Sequence, residues 1–288
     1  LEREDEVSKK PKLTLSSETP AFKLADLNRA AKSLIHTQPE NVVLYRLWRE
    51  VLRQAADDPA LMLLKQAVLR SAGVRQLANT QLPDGSWGRF HSQDTSAKAA
   101  FRTTEEAIQR ALALGLFPGD AVLQRTRQYI LEALAERVTI SDPPEKNERW
   151  PFTVQLILAG RLAQLDPSNA VLDPHWRYWL KVAERAFSSG AYRLGDEAAA
   201  YPALSGMQAP QGFLESQYAL WILSSRPLPA GLDQALVRWV WEKADGIRYI
   251  RVSLHGFSSH QLGFWFRSLE LLSRFASWRE AALPVLNQ

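Results

Sequence analysis

The chain has 288 residues, 46% hydrophobic and 23% charged, with a formal net charge of +4. That length can bury one large core or two modest ones. The small charge, with no block of like sign, argues against a nucleic-acid partner. Lacking cysteine, the chain has no disulfide and no thiolate zinc ligand, and no apolar run reaches the ~18 residues a membrane-spanning helix needs.

Residues 1–20 are polar and charged, interrupted by Pro11 and Pro20, and read as an arm ahead of one domain over 21–288. Apolar residues then recur at three- and four-residue spacing, predicting helices over 24–36, 42–56, 60–80, 103–116, 120–137, 150–165, 174–188, 211–224, 232–244 and 260–276. No stretch alternates as a strand would, so the expected class is all-α. Three longer connections interrupt the helices: Gly85–Ala97, Thr139–Arg149 and Gly190–Pro210. The last, with Gly195-Asp196-Glu197 and Ser205-Gly206-Met207, is the expected lid. Asp196 and Glu197 are its candidate catalytic acids.

The helices pair, and the pairs repeat. An offset of 49 residues lays Phe101 on Trp150, Thr104 on Thr153, Leu116-Phe117-Pro118 on Leu165-Asp166-Pro167, Ala121-Val122-Leu123 on Ala170-Val171-Leu172 and Tyr129 on Tyr178. The turn prolines cannot continue the first helix of a pair but suit the start of the second. Such a period fits both closed rings of helix pairs and open helical solenoids.

Gln81-Leu82-Pro83-Asp84-Gly85-Ser86-Trp87 is the most specific local pattern, with Gly73 and Leu77 on the helix before it. Gly85 can take the positive φ of a tight turn. Asp84 can bond its own backbone, and Trp87 can fold back over the helix that Gln81 closes. This turn resembles the QW motif of the terpenoid-cyclase and protein-prenyltransferase superfamily, and the likeness covers residues 70–135. The resemblance implies an α/α toroid of five to six helix pairs, either a five-paired ring or one that continues past Gln288. It also implies a central aromatic-lined cavity for a hydrophobic, isoprenoid-like ligand.

The chemistry of that superfamily is not carried over. The zinc branch needs a cysteine. The Asp-x-Asp-Asp acid and the Asp-Asp-x-x-Asp metal motif are both absent, Asp57-Asp58-Pro59-Ala60-Leu61 stopping one carboxylate short. The chain reads as a divergent member, with no cofactor expected and enzymatic action left open. Nothing sets an oligomeric state. The lack of cysteine fits a reducing, cytoplasmic setting, and the start at Leu1 leaves room for native residues upstream.

Polar residues recur one turn into the proposed inner helices: Glu106, Gln155, Gln217 and Gln261, beside Trp150, Phe152, Phe213, Tyr218, Phe264 and Trp265. Of these, Glu106, Gln155, Gln217, Trp150, Phe152, Tyr218 and Trp265 form the expected binding set with Trp221, Arg102, Arg149 and His260, since arginines at helix N-termini suit an anionic group. First-turn Glu and Gln also serve the helix's own free N–H groups. Two other readings stand beside the hydrophobic-ligand one. The first is a helical-repeat interaction module with every aromatic in the core. The second is a glycan-active toroid using Asp94, Glu105 and Glu106 as paired acids.

Overall fold

A computed structural model describes residues 24–92, 99–143, 149–206, 212–242 and 267–280. Among these residues the chain is all-helical, with no strand. None of the helices is long and apolar enough to cross a membrane. The elements are α1 (Leu24–His36), α2 (Asn41–Arg46, continued by a π-helical turn Leu47–Val51), α3 (Pro59–Leu69), α4 (Ala72–Thr80), α5 (Thr104–Ala113), α6 (Ala121–Leu134), α7 (Trp150–Leu165), α8 (Leu172–Ala186), α9 (Leu194–Ser205), α10 (Gln217–Leu223) and α11 (Ala230–Glu242). Two short helical segments, α12 (267–272) and α13 (276–280), follow. The arm expected over 1–20 lies outside the described residues.

Two expectations are corrected. The run 60–80 is two helices, because the Ser71 hydroxyl accepts the Val74 N–H at 3.4 Å and starts a new helix. The connection 190–210 is not a loop. It contains α9, whose first turn carries Asp196 and Glu197 and whose end is closed by Gly206 at φ +69°. Acidic side chains favour a helix N-terminus and glycine its left-handed end, so residues that read as turn punctuation are the caps of a helix.

The apolar centre is α7. Every residue from Leu156 to Leu165 is buried, so this helix is enclosed on all sides. It packs against α6 and α10, and α8 packs against α9 and α10. At Gly160 the two central helices nearly touch: an added Cβ would lie 2.6 Å from Tyr218 Cβ and 2.7 Å from its Cα. The helix pairs α5–α6 and α7–α8 follow one another in the order expected from the 49-residue offset.

The turn at 81–87 locks helix α4 to helix α6. Gln81 Nε2 donates to Gly85 O (2.9 Å), Val122 O (3.0 Å) and Thr126 Oγ1 (3.0 Å). Asp84 accepts from Ser86 N at 2.9 Å, and Gly85 sits at φ +93° where a Cβ would meet Arg125 O at 2.4 Å. The Trp87 ring is buried and its Nε1 donates to Leu77 O at 3.1 Å.

Buried carboxylates pin remote backbone at three places. Asp142 accepts the N–H groups of Phe90, His91 and Ser92. Glu197 accepts those of Phe213 and Leu214, and Asp233 those of Ala276 and Ser277. Each carboxylate thus satisfies backbone amides that have no helical carbonyl to bond.

A buried polar centre between four elements

The chain leaving Trp87 runs straight into a polar cluster. Trp87 N donates to Thr104 Oγ1 at 2.9 Å, and the first amides of α5 bond back: Thr104 N to Arg89 O (2.8 Å) and Glu105 N to Phe90 O (3.2 Å). His91 is therefore delivered beside the start of α5. There its Nδ1 lies 2.5 Å from Glu105 Oε2.

Four consecutive residues at that start divide the work. Thr103 caps the helix through Glu106 N (3.1 Å), and Glu106 reaches back to Arg102 N (2.9 Å), one residue before the cap, a variant of the capping box. Thr104 holds Trp87. Glu105 turns toward α7 and α10. Its Oε1 receives Arg161 Nε at 2.6 Å, and its Oε2 receives the Tyr218 hydroxyl at 3.1 Å as well as His91. The Tyr218 hydroxyl is also 3.4 Å from His91 Nδ1, and the Arg161 guanidinium lies 5.0 Å from the Tyr218 ring centre. Gln164 Oε1 then accepts from Arg161 Nη1 (2.9 Å) and Gln109 Nε2 (3.1 Å).

Charge states follow from these contacts. Burial pushes the Glu105 carboxyl upward, but Arg161 and His91 outweigh it and hold it below the usual carboxylate range. Burial opposes the charge on Arg161, yet Glu105 keeps it firmly protonated. Burial and the Glu105 charge raise the Tyr218 phenol, so it stays a neutral donor. The hydrogen bond to Glu105 raises His91 above the ordinary histidine value, although burial works against it. Arg267 of α12 lies within electrostatic reach of Arg161: burial first, and then the charge of Arg161, lower its pKa.

This network is poorly explained as a stability device. Replacing a buried ion pair by apolar residues of like volume is often neutral or stabilising. What the arrangement does provide is a histidine in a defined state. Glu105 holds Nδ1, so in the neutral ring Nε2 is the acceptor, and the side chain is 38% exposed. Nε2 has no hydrogen-bond partner among the described residues.

The residues expected at the site are dispersed. Tyr218 is in the centre. Glu106 and the backbone of Arg102 form the capping box, and Arg149 precedes α7, accepting from the Thr153 hydroxyl at 3.0 Å through its carbonyl. Gln155 and Gln217 are half-buried on α7 and α10, and Trp150 is buried at the start of α7. Phe152 lies in an aromatic cluster with Tyr178, Trp179, Tyr201 and Phe213. Trp221 is buried under Arg274, whose guanidinium lies 4.4 Å from the ring centre. Asp196 is half-buried. Glu197 is fully buried, accepting Phe213 N (2.5 Å), Leu214 N (2.9 Å), the Tyr192 hydroxyl (2.6 Å) and the Tyr201 hydroxyl. A carboxylate so engaged fastens α9 to the approach of α10. His260 and Trp265 lie outside the described residues, as do Asp94, Gln261 and Phe264.

His91 and Arg161 were outside the expected binding set, and Glu105 stood only among the glycan acids. One signal was present: Arg161 is a lone charge in the apolar stretch 156–165, where an unpaired cation would be untenable. Against known proteins, the chain matches no protein-family model, no curated sequence and no solved structure.

Proposed function

We propose that the chain is an α/α toroid of helix pairs whose functional centre is His91, Glu105, Arg161 and Tyr218. It binds there a ligand with a polar, proton-bearing head and an apolar body. The observation that carries this reading is the half-exposed His91 ring, held at Nδ1 by a buried, charged Glu105 and so left with an acceptor nitrogen. Such a histidine receives a hydroxyl or acid proton and can exchange it near neutral pH. The turn at 81–87 supports the toroid plan and, with it, an isoprenoid-like body. Trp150, Phe152 and Trp221 are taken up by core packing, so the ligand contact assigned to them passes to Tyr218 and the polar centre.

Titration with farnesol and with decanoic acid, followed by thermal shift and by histidine NMR, tests the reading. A ligand stabilises the folded state in proportion to its occupancy. The expected result is a raised Tm together with a shifted His91 resonance, both lost in Glu105→Gln. Binding that leaves His91 unperturbed would put the ligand elsewhere and refute the assignment.

A second reading, an interaction module, has its own observation. Leu34, Val43, Met62 and Leu63 are exposed on α1, α2 and α3, Leu63 to 72%, beside a groove of about 460 Å³ lined by Ile35, Leu44, Trp48 and Leu64. Light scattering over a concentration series, comparing wild type with Val43→Asp/Leu63→Asp, tests whether this face joins two copies. A monomer at all concentrations would remove self-association as its use.

A further inference from the structure

Residues 89–92 are gripped from both sides. The carbonyls of Arg89 and Phe90 accept from the amides of Thr104 and Glu105, at 2.8 and 3.2 Å. On the other side, one carboxylate from the segment after α6 takes three consecutive amides. Asp142 Oδ2 accepts Phe90 N at 2.5 Å, and Oδ1 accepts His91 N at 2.8 Å and Ser92 N at 2.5 Å. Asp142 is only 6% exposed. The Phe90 ring is buried and stacks on Tyr129 with centroids 6.3 Å apart. The His91 backbone is therefore held in place, with its ring within reach of Glu105.

We infer that Asp142 is the positioning residue of the His91 centre, its carboxylate fixing the backbone of 90–92 so that the imidazole Nδ1 meets Glu105. The inference rests on the reading of His91 and Glu105 as the functional centre. Charge-assisted bonds from an anion to backbone amides are short and strong, and three from adjacent residues fix a peptide conformation as well as an energy. The same three bonds that satisfy these amides also set where the His91 side chain leaves the backbone. The charged and titratable groups facing the imidazole are Glu105 from α5, Asp142 itself, Arg161 from α7 and Tyr218 from α10.

The test separates position from charge. Asp142→Glu keeps the charge but moves the carboxylate by one methylene, while Asp142→Asn keeps the shape and removes the charge. NMR reads two things on His91 in each folded variant: the far-downfield proton of the short Nδ1–Glu105 bond, and the titration midpoint. The expected result is loss of the downfield proton in both variants, with the midpoint falling back toward about 6.5.

If Asp142→Glu keeps the wild-type proton and midpoint, only charge matters and the inference falls. Outright unfolding of both variants would assign Asp142 to stability and overturn it as well. Glu105→Gln is the separate control. If that change leaves the His91 signature intact, the functional centre itself is misassigned. If it abolishes the signature while both Asp142 variants retain it, only the positioning inference fails.

Discussion

Gly160 of α7 and Tyr218 of α10 meet at a close helix crossing in the core, an added Cβ falling 2.6 Å from the Tyr218 Cβ. The neighbouring residue on α7 is Arg161, which bonds Glu105, and Tyr218 bonds the same carboxylate. One glycine therefore sets the spacing of two members of the polar centre. Gly160→Ala should cost about 1–3 kcal/mol as an overpacked core position. It should also weaken the Tyr218–Glu105 bond, seen as a change in the Tyr218 ring resonances alongside a lower denaturation midpoint. A stability unchanged from wild type would show that the helices can part without cost.

Trp87 is buried and donates to the Leu77 carbonyl. Trp87→Ala should cost about 3–5 kcal/mol, the usual range for a large core truncation. Trp87→Phe keeps most of the ring and should lose much less, mainly one hydrogen bond worth about 1 kcal/mol. Urea denaturation of the pair checks both numbers. Because the same strand of chain delivers His91, the alanine variant should also disturb the His91 resonances at temperatures where the protein remains folded.

Glu105→Gln leaves the Arg161 guanidinium buried, 4% exposed, without its counter-charge. The expected loss is about 3–5 kcal/mol, the cost of breaking one side of a buried pair. Adding Arg161→Met should recover much of it, since an apolar replacement removes the uncompensated cation. A double variant no more stable than the single one would mean that Gln164 and Tyr218 already support Arg161 unaided.

The dependence of stability on pH has two flanks. Glu105 is held below its ordinary value, so its contribution is present above about 4.3 and is lost as pH falls through the folded value. His91 binds its proton more tightly when folded, so its contribution is complete below about 6.5 and fades as pH rises through the folded value. Stability from this pair is therefore greatest between those two ordinary values. Chemical denaturation from pH 4 to pH 9 should show a decline on the alkaline side that His91→Gln removes. The effect is modest because the His91 side chain is 38% exposed and screened by solvent.

Much of this chain was legible in order of residues. Helical periodicity located nearly every described helix, and Gln81, Asp84, Gly85 and Trp87 announced a turn whose bonds are those the residue types allow. Those signals act within a few residues, through caps, positive φ and the 3.6-residue repeat, so a sequence carries them directly. Where local signals competed, reading failed: Gly195-Asp196-Glu197 suits a turn as well as a helix start, and burial of Glu197 and Tyr201 tipped it to α9.

The polar centre had no such local mark. Glu105 and Glu106 are adjacent acids in the first turn of one helix, and nothing in their order says which caps the helix and which enters the core. The rotation of α5 against α7 decides it, placing Glu105 on Arg161 and Glu106 at the surface. His91, Glu105, Arg161 and Tyr218 are brought together only when α7 is enclosed by its neighbours and Gly160 admits α10. By itself the sequence determined the helices and the turn, because those depend on neighbours along the chain. Only the tertiary structure decided which charges meet, because a buried charge is tolerated only where packing supplies its partner.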